Sequence, residues 1–370
     1  MLKVLRFSVR TRTYHQVLAI MMSLILFCCQ TKDNEKTESW KPTPLKWVKP
    51  SNFPDPVYNL SKNPLTMEGV ALGRTLFYDP ILSKTNQISC ASCHFQKAAF
   101  SHQGQSFSPG IHGQLSKRNS PAIQNVAWNP VFFWDGGVHD LDFVPFNPVQ
   151  NPVEMGESIN NVISKIKKLS DKNAGNYSEM FKAAFGTNEI NSIRMMKALS
   201  QFMITMISSN SPYDQYVAGK DNALSTEQKE GLMIFRKNCN SCHTGELFTN
   251  FSFRNNGLPP MKINDTGRFD VTRLDKDKYK FKVPGLRNIG LTAPYMHDGR
   301  FKTLEEVMEH YTSNVKKSET LDPILIKENG KIGINLSKEE KRKVIAFLRS
   351  LNDENFLQNP TLSDPKVSGF

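Results

Sequence analysis

The sequence predicts a mainly α-helical protein built as two similar lobes, and three observations carry that expectation. The string Cys-x-x-Cys-His occurs twice, as Cys90-Ala91-Ser92-Cys93-His94 and as Cys239-Asn240-Ser241-Cys242-His243. Apolar residues recur at helical intervals ahead of both strings and again late in each half. Pro109, Pro259 and Pro284 sit in long stretches that read as loops rather than sheet.

Each string offers two thiols able to bond covalently to the vinyl groups of a haem, and an adjacent imidazole able to ligate its iron. A zinc knuckle, a redox dithiol or a buried pair also accounts for a Cys-x-x-Cys. Zinc, however, needs four ligands at a site, and a redox dithiol does not need the following histidine. Repetition of the histidine favours two covalently bound haem c groups, attached at Cys90, Cys93, Cys239 and Cys242, with His94 and His243 on the irons. Haem supplies apolar volume that loops can pack around, so the fold expected is two cytochrome-c-like haem domains with long loops. A chain of 370 residues with 39% apolar and 22% charged residues is large enough to bury both cores.

From the N-terminus, Lys3, Arg6, Arg10 and Arg12 precede an apolar run from Val17 to Phe27. That run is short for a permanent membrane span and reads as an export signal. Leu26-Phe27-Cys28-Cys29 resembles a bacterial lipoprotein signal, giving a signal peptide over 1–29, a lipid anchor on Cys29 and a place in the periplasm or cell envelope. Ordinary signal cleavage is the alternative. The six cysteines are then used up by the signal and the haem strings, and no structural disulfide is expected. Residues 30–51, polar and Pro-containing, read as a flexible tether.

The N-terminal domain is expected over 52–217. Met67 to Phe77 has helical spacing, and Ile193 to Ile207 is a strongly apolar helix candidate. After the turn at Ala218-Gly219-Lys220-Asp221-Asn222, the C-terminal domain is expected over 218–355. Ser225-Thr226-Glu227-Gln228 resembles a helix N-terminus leading through Leu232, Ile234 and Phe235 to the second string, and Ser337 to Leu351 is an amphipathic helix candidate. The chain from Asn352, and with it 356–370, reads as a loose tail. The net charge of +12 comes from lysines and arginines spread without aromatic interleaving. This argues against nucleic acid and suits a basic surface, including one that docks an acidic protein.

Further strings point to chemistry. They are Arg118-Asn119-Ser120-Pro121, Phe133-Trp134-Asp135-Gly136-Gly137, Asn151-Pro152-Val153-Glu154-Met155, Lys282-Val283-Pro284-Gly285-Leu286-Arg287-Asn288 and Ala293-Pro294-Tyr295-Met296-His297-Asp298-Gly299. In this order around two haem motifs, from about Asn52 to Leu351, the sequence resembles the bacterial diheme cytochrome c peroxidases and their relative MauG, the methylamine dehydrogenase maturation enzyme.

The resemblance implies a peroxidatic haem in the N-terminal domain and an electron-transfer haem in the C-terminal one. It places an acid twenty residues after the Trp, at Glu154, as general acid/base for iron-bound peroxide. Trp134 takes the position of an aromatic relay between the haems. A calcium ion would be held by the Asn119 amide oxygen and the backbone carbonyls of Thr292 and Pro294. The second iron's sixth ligand in the peroxidases is a Met fourteen residues beyond the His of the Tyr-x-His-x-Gly string; here that position is Tyr311, as in MauG. Met308 and Met296 are alternatives. His102 and His112 are near enough to be distal ligands of the first iron but stand off the expected offset, so both read as surface loop residues beside an open site.

The function implied is a diheme cytochrome c peroxidase that reduces hydrogen peroxide to water with electrons from a small protein such as a c-type cytochrome. A homodimer is common in that family. The alternatives are a MauG-like diheme oxidase acting on a partner protein and a non-catalytic diheme electron carrier.

Overall fold

The computed structural model describes residues 40–172, 176–261 and 263–366. The signal peptide and the anchor at Cys29 lie outside the described residues. Among those described, no helix is long and apolar enough to cross a membrane.

The first half is built on helix α1 (Met67–Tyr78), followed by α2 (Phe146–Gln150), α3 (Ile159–Asp171), α4 (Tyr177–Phe185), α5 (Ser192–Ile204) and α6 (Pro212–Val217). Thr66 caps α1 by accepting from the Gly69 N–H at 3.0 Å. Its Leu72, Leu76 and Phe77 are buried, and α1 packs across α5 and α4. The second half repeats this plan with α7 (Thr226–Asn238) against α10 (Lys338–Arg349). A capping box at Ser225 and Gln228 starts α7, and another at Ser337 and Glu340 starts α10. Between them lie α8 (Phe269–Thr272), α9 (Leu304–Glu309) and the only sheet among the described residues. It pairs β1 (Phe253–Arg254) antiparallel with β2 (Phe281–Lys282).

Both helix pairs cross on a glycine. A Cβ on Gly73 would sit 1.9 Å from the Ala198 carbonyl oxygen, and one on Gly231 would sit 2.0 Å from that of Lys343. Each pair is therefore closer than any side chain permits. Gly73→Ala is expected to destabilise the fold by about 1–3 kcal/mol through forced separation of α1 and α5, read as a lowered denaturant midpoint; an unchanged midpoint would show that the helices can slide apart freely.

From Pro42 onward the described residues pack as one body with two apolar centres. The first is built mainly from Phe53 to Met206, with Phe77 edge-on to Phe100 and Phe202. In the second, Tyr213, Phe235, Phe248 and Phe347 meet edge to face.

Two expectations at the margins are corrected. The tether does not extend to residue 51: Leu45 donates to the Leu65 carbonyl at 2.9 Å, and Trp47 lies 5.5 Å from Trp128. Leu45 and Trp47 pack half-buried against the first core, which the polar composition around them hid. The tail is not loose either. Phe356, Leu357 and Leu362 of helix α11 (Glu354–Gln358) and the turn after it belong to the first core, not the second. Arg74 and Tyr78 of α1 hold the Ser363 and Leu362 carbonyls at 2.6 and 2.7 Å, and Gln96 holds that of Asn359 at 2.8 Å.

Candidate active site

The two Cys-x-x-Cys-His strings fold alike. In each, the second Cys and the His donate backbone hydrogen bonds to the carbonyl of the first Cys, at 3.1 and 3.0 Å for Cys93 and His94 and at 3.2 and 3.0 Å for Cys242 and His243. His94 Nδ1 lies 2.8 Å from the Phe100 carbonyl, and His243 Nδ1 lies 3.0 Å from that of Phe248. With Nδ1–H donated there, the Nε2 lone pair of each ring is left for a metal. Burial pushes His94 down to about 4, against the opposing pull of the Phe100 and Pro121 carbonyls, so the ring is neutral at physiological pH.

The aim of both rings rests on strained backbone. Phe100 and Phe248 stand at φ 57° and 54°, a left-handed conformation that is an outlier for a bulky residue. Their rings are locked in the two aromatic clusters, which holds each carbonyl toward its histidine.

The string after Pro121 is also repeated after Pro284. Asn125 and Asn288 are left-handed, each opens a short 3₁₀ turn, and Phe132↔Val138 bridges as Tyr295↔Phe301 does. Trp134 and His297 thus occupy equivalent places. The sequence held this signal in the equal interval from Pro121 to Trp134 and from Pro284 to His297, and the reading from residues alone missed it.

A cavity of about 320 Å³ lies against the second string and is also lined by Asn119, Pro121 and Trp134 of the first half. Cys242, His243, Tyr311, Met296, Met308 and Trp134 all line it. The Trp134 indole N–H donates to the Asn119 carbonyl at 2.8 Å, Asn119 N–H donates to the His297 carbonyl at 2.8 Å, and Trp134's own carbonyl accepts from Lys282 at 2.7 Å. Asn119 lies two residues before Pro121, whose carbonyl faces His94. Trp134 is therefore tied to both halves. Tyr311 is placed by the π-helical turn His310–Asn314 that extends α9. Burial pushes its hydroxyl up to about 12, helped by Cys242 and Cys239 and opposed by Asn256.

Asn119, Thr292 and Pro294 line the same cavity. The Asn119 amide nitrogen donates to the Ser106 carbonyl at 3.2 Å, and its Oδ1 has no hydrogen-bond partner among the described residues.

Glu154 follows α2 and lies beside the first string, near enough to raise the Cys93 thiol. Gly110 brings it there: a Cβ on Gly110 would meet the Val153 and Glu154 carbonyl oxygens at 2.1 and 2.5 Å, and Ile111 N–H donates to the latter at 2.8 Å. Burial raises the carboxyl above its ordinary value, partly offset by the Asn151 amide 2.9 Å away.

His102 departs from its expected surface position. It is 5% exposed, its ring lies 5.1 Å from that of Phe95, and Nδ1 has no partner among the described residues. The bridge between Phe95 and Ser101 folds the loop back and tucks the ring in. His112 is exposed, as expected.

The donor chemistry fits haem at both strings. Among the described residues no group of three or more His, Cys, Asp or Glu side chains could hold a metal ion, so neither cysteine pair has the closed ligand set that structural zinc needs. Lys282 lines the cavity with burial pushing its amine down to about 8, and the only hydrogen bond of that amine among the described residues is to the Val131 carbonyl at 3.2 Å. Haem propionates carry the negative charge such a cation lacks.

Residues 67–222 match the family model described as di-haem cytochrome c peroxidase. The methylamine utilization protein MauG of Methylorubrum extorquens is 33% identical over 84% of each chain. The chain belongs to the di-haem cytochrome c peroxidase family. Within it, the cytochrome c551 peroxidase of Nitrosomonas europaea is 34% identical over 76% of this chain and 79% of its own. The crystal structure of a MauG-like protein associated with microbial copper homeostasis superposes with a TM-score of 0.78 at 31% identity, covering 87% of this chain and 99% of the other. Family membership implies haem c as the cofactor.

Proposed function

We propose that this protein is a diheme cytochrome c peroxidase, in which residues 52–217 hold the peroxidatic haem on His94 and residues 218–355 the electron-transfer haem on His243. The observation that carries the reading is a half-buried carboxyl, Glu154, brought beside the first haem string by the close backbone approach at Gly110. Bound haem supplies the iron that receives peroxide and the capacity to pass it electrons one at a time. Glu154 takes the proton from the inner peroxide oxygen and returns it to the outer one, which then leaves as water. Each peroxide consumes two electrons and two protons and yields two waters. Trp134, hydrogen-bonded into both halves, lies on the electron route. The basic surface suits docking of a small acidic donor such as a c-type cytochrome.

The test is peroxide consumption with a reduced small c-type cytochrome, started from the fully oxidised and from the half-reduced protein. Turnover in either supports the peroxidase; turnover only after half-reduction adds a reductive switch. A protein that never consumes peroxide in either state would be the electron carrier instead.

A MauG-like oxidase modifying a partner protein is the second reading, favoured by Tyr311, which stands where the resembling peroxidases carry Met and lines the cavity that His243 lines. A long-lived high-valent spectrum without cytochrome-dependent turnover would select it.

Calcium at Asn119, Thr292 and Pro294 is part of the proposal, supported by all three residues lining one cavity. Such a set needs several further oxygens, waters among them, and would bind weakly. Chelation is expected to slow turnover and added calcium to restore it; turnover indifferent to chelator would remove the ion from the reading. Export and lipid anchoring through Cys29 to the periplasmic side of the cell envelope complete the proposal, with release from membranes on Cys29→Ser as the check. A homodimer, the arrangement usual for the resembling family, is checked by sedimentation.

A further inference from the structure

One side-chain amide serves both donors at the second iron site. Asn256 Nδ2 lies 3.4 Å from the Tyr311 hydroxyl oxygen and 3.5 Å from the Met296 sulfur. A primary amide carries two N–H bonds, so both contacts can be made together. Asn256 is itself held from behind. Its carbonyl accepts from His310 Nε2 at 3.0 Å, the Asn255 carbonyl accepts from Asp322 N–H at 3.0 Å, and that of Gly257 accepts from Lys316 N–H at 2.9 Å.

The two donors share a further property. Met296 stands at φ 75°, in the left-handed region, and Tyr311 lies in a π-helical turn. Both are backbone placements that collect at functional sites. Met308, the third candidate, is 5% exposed and packed in the second apolar centre, and its sulfur accepts no hydrogen bond among the described residues. The choice at this position is therefore between an oxygen and a sulfur tethered to the same nitrogen.

We propose that Asn256 is a positioning residue for the second iron: its amide presents the Tyr311 oxygen to the metal on His243 and holds the Met296 sulfur back. The proposal rests on the haem reading above. A phenolate is an anionic oxygen donor that lowers the iron potential, whereas a thioether raises it. An N–H directed at the phenolic oxygen stabilises its anionic form. The same amide occupies a lone pair of the sulfur. Removing the amide releases both restraints in the same direction, toward sulfur.

The experiment is spectroelectrochemistry of the purified diheme protein, wild type beside N256L, Y311F, M296L and the double variant N256L/M296L. In N256L the ferric spectrum is expected to lose phenolate-to-iron charge-transfer intensity and gain the near-infrared thioether band. A tenfold change in ligand preference would raise the second haem's midpoint by about 59 mV for a one-electron couple. Both changes are expected to vanish in N256L/M296L, a dependence that a merely structural role of Asn256 would not produce. If N256L does not fold, N256S removes the amide without adding bulk.

A wild-type spectrum and potential in N256L or N256S, alongside a shifted Y311F, would overturn the role of Asn256 alone. If Y311F is also silent, the oxygen ligand is overturned, and the proposal with it. Purified protein without two c-type haem spectra would overturn the underlying reading itself.

Discussion

Replacing Glu154 with Gln is expected to slow peroxide turnover by about 10²- to 10⁴-fold, the usual contribution of a positioned acid/base group, while leaving both haem spectra intact. The amide keeps the shape and the contact with Asn151 but can neither accept nor return a proton. The pH profile sharpens the test. Burial raises this carboxyl above its ordinary 4.5, and the group must begin as the carboxylate, so the acid limb of turnover is expected above the common glutamate range and absent from the variant. For a raised carboxyl, the stabilising share belongs to the protonated form: it is fully present below the unfolded pKa and lost as pH rises through the folded one. Above the folded pKa the fold thus carries a half-buried charge that Gln lacks, and E154Q is expected to melt no lower than wild type there. Unchanged turnover would strip Glu154 of its role. Lost turnover with a lowered melting point would indicate a structural residue.

The largest stability effect is expected at Arg287. It is 2% exposed, and its guanidinium donates to both oxygens of Asp214 at 2.8 and 2.7 Å and to the Glu246 carbonyl at 2.7 Å. It also sits 4.6 Å from the centre of the Phe53 ring. Three segments meet there: the start of the first core, α6, and the loop after the second haem string. Arg287→Met leaves the Asp214 carboxylate buried and unpaired, at an expected cost of about 3–5 kcal/mol. Adding Asp214→Asn should recover part of that, since the charge then has no counterpart to miss.

Burial alone would raise the Asp214 carboxyl, but Arg287 and Ser211 bring it below its ordinary 3.8. A depressed carboxyl stabilises above the unfolded pKa, and the benefit disappears as pH falls through the folded value. The gap between wild type and R287M in chemical denaturation should therefore narrow on acidification below about pH 4. A gap that persists unchanged at low pH would assign Arg287's contribution to packing on Phe53.

What could be read in advance was what a short stretch of chain decides for itself. The capping box at Ser225 and the apolar spacing from Met67 and from Ile193 each depend on neighbours within a turn or two, and the helices lie there. The haem strings have the same local character. His102 was misplaced because its burial depends on a bridge between Phe95 and Ser101 rather than on any pattern around the imidazole. Trp47 and Phe356 were assigned to tether and tail because their partners, Trp128 and Phe100, lie far off in sequence. The placement of Glu154 is intermediate. The residue was identified by resemblance, but its approach to Cys93 depends on Gly110, which no spacing rule singles out.

The route of the chain past Asp353 carries a consequence for the order of assembly. Phe356 closes on Phe100, the residue whose carbonyl aims His94, and the turn beyond it is fastened to α1. The lobe synthesised first is thus completed last, after the whole of its neighbour has been made. Until residue 362 is available, the first core lacks Phe356, Leu357 and Leu362, and the loop that aims His94 has no cover on that side. Final closure then couples both lobes into one cooperative unit, trading early independence for a seal that forms only once everything beneath it is in place.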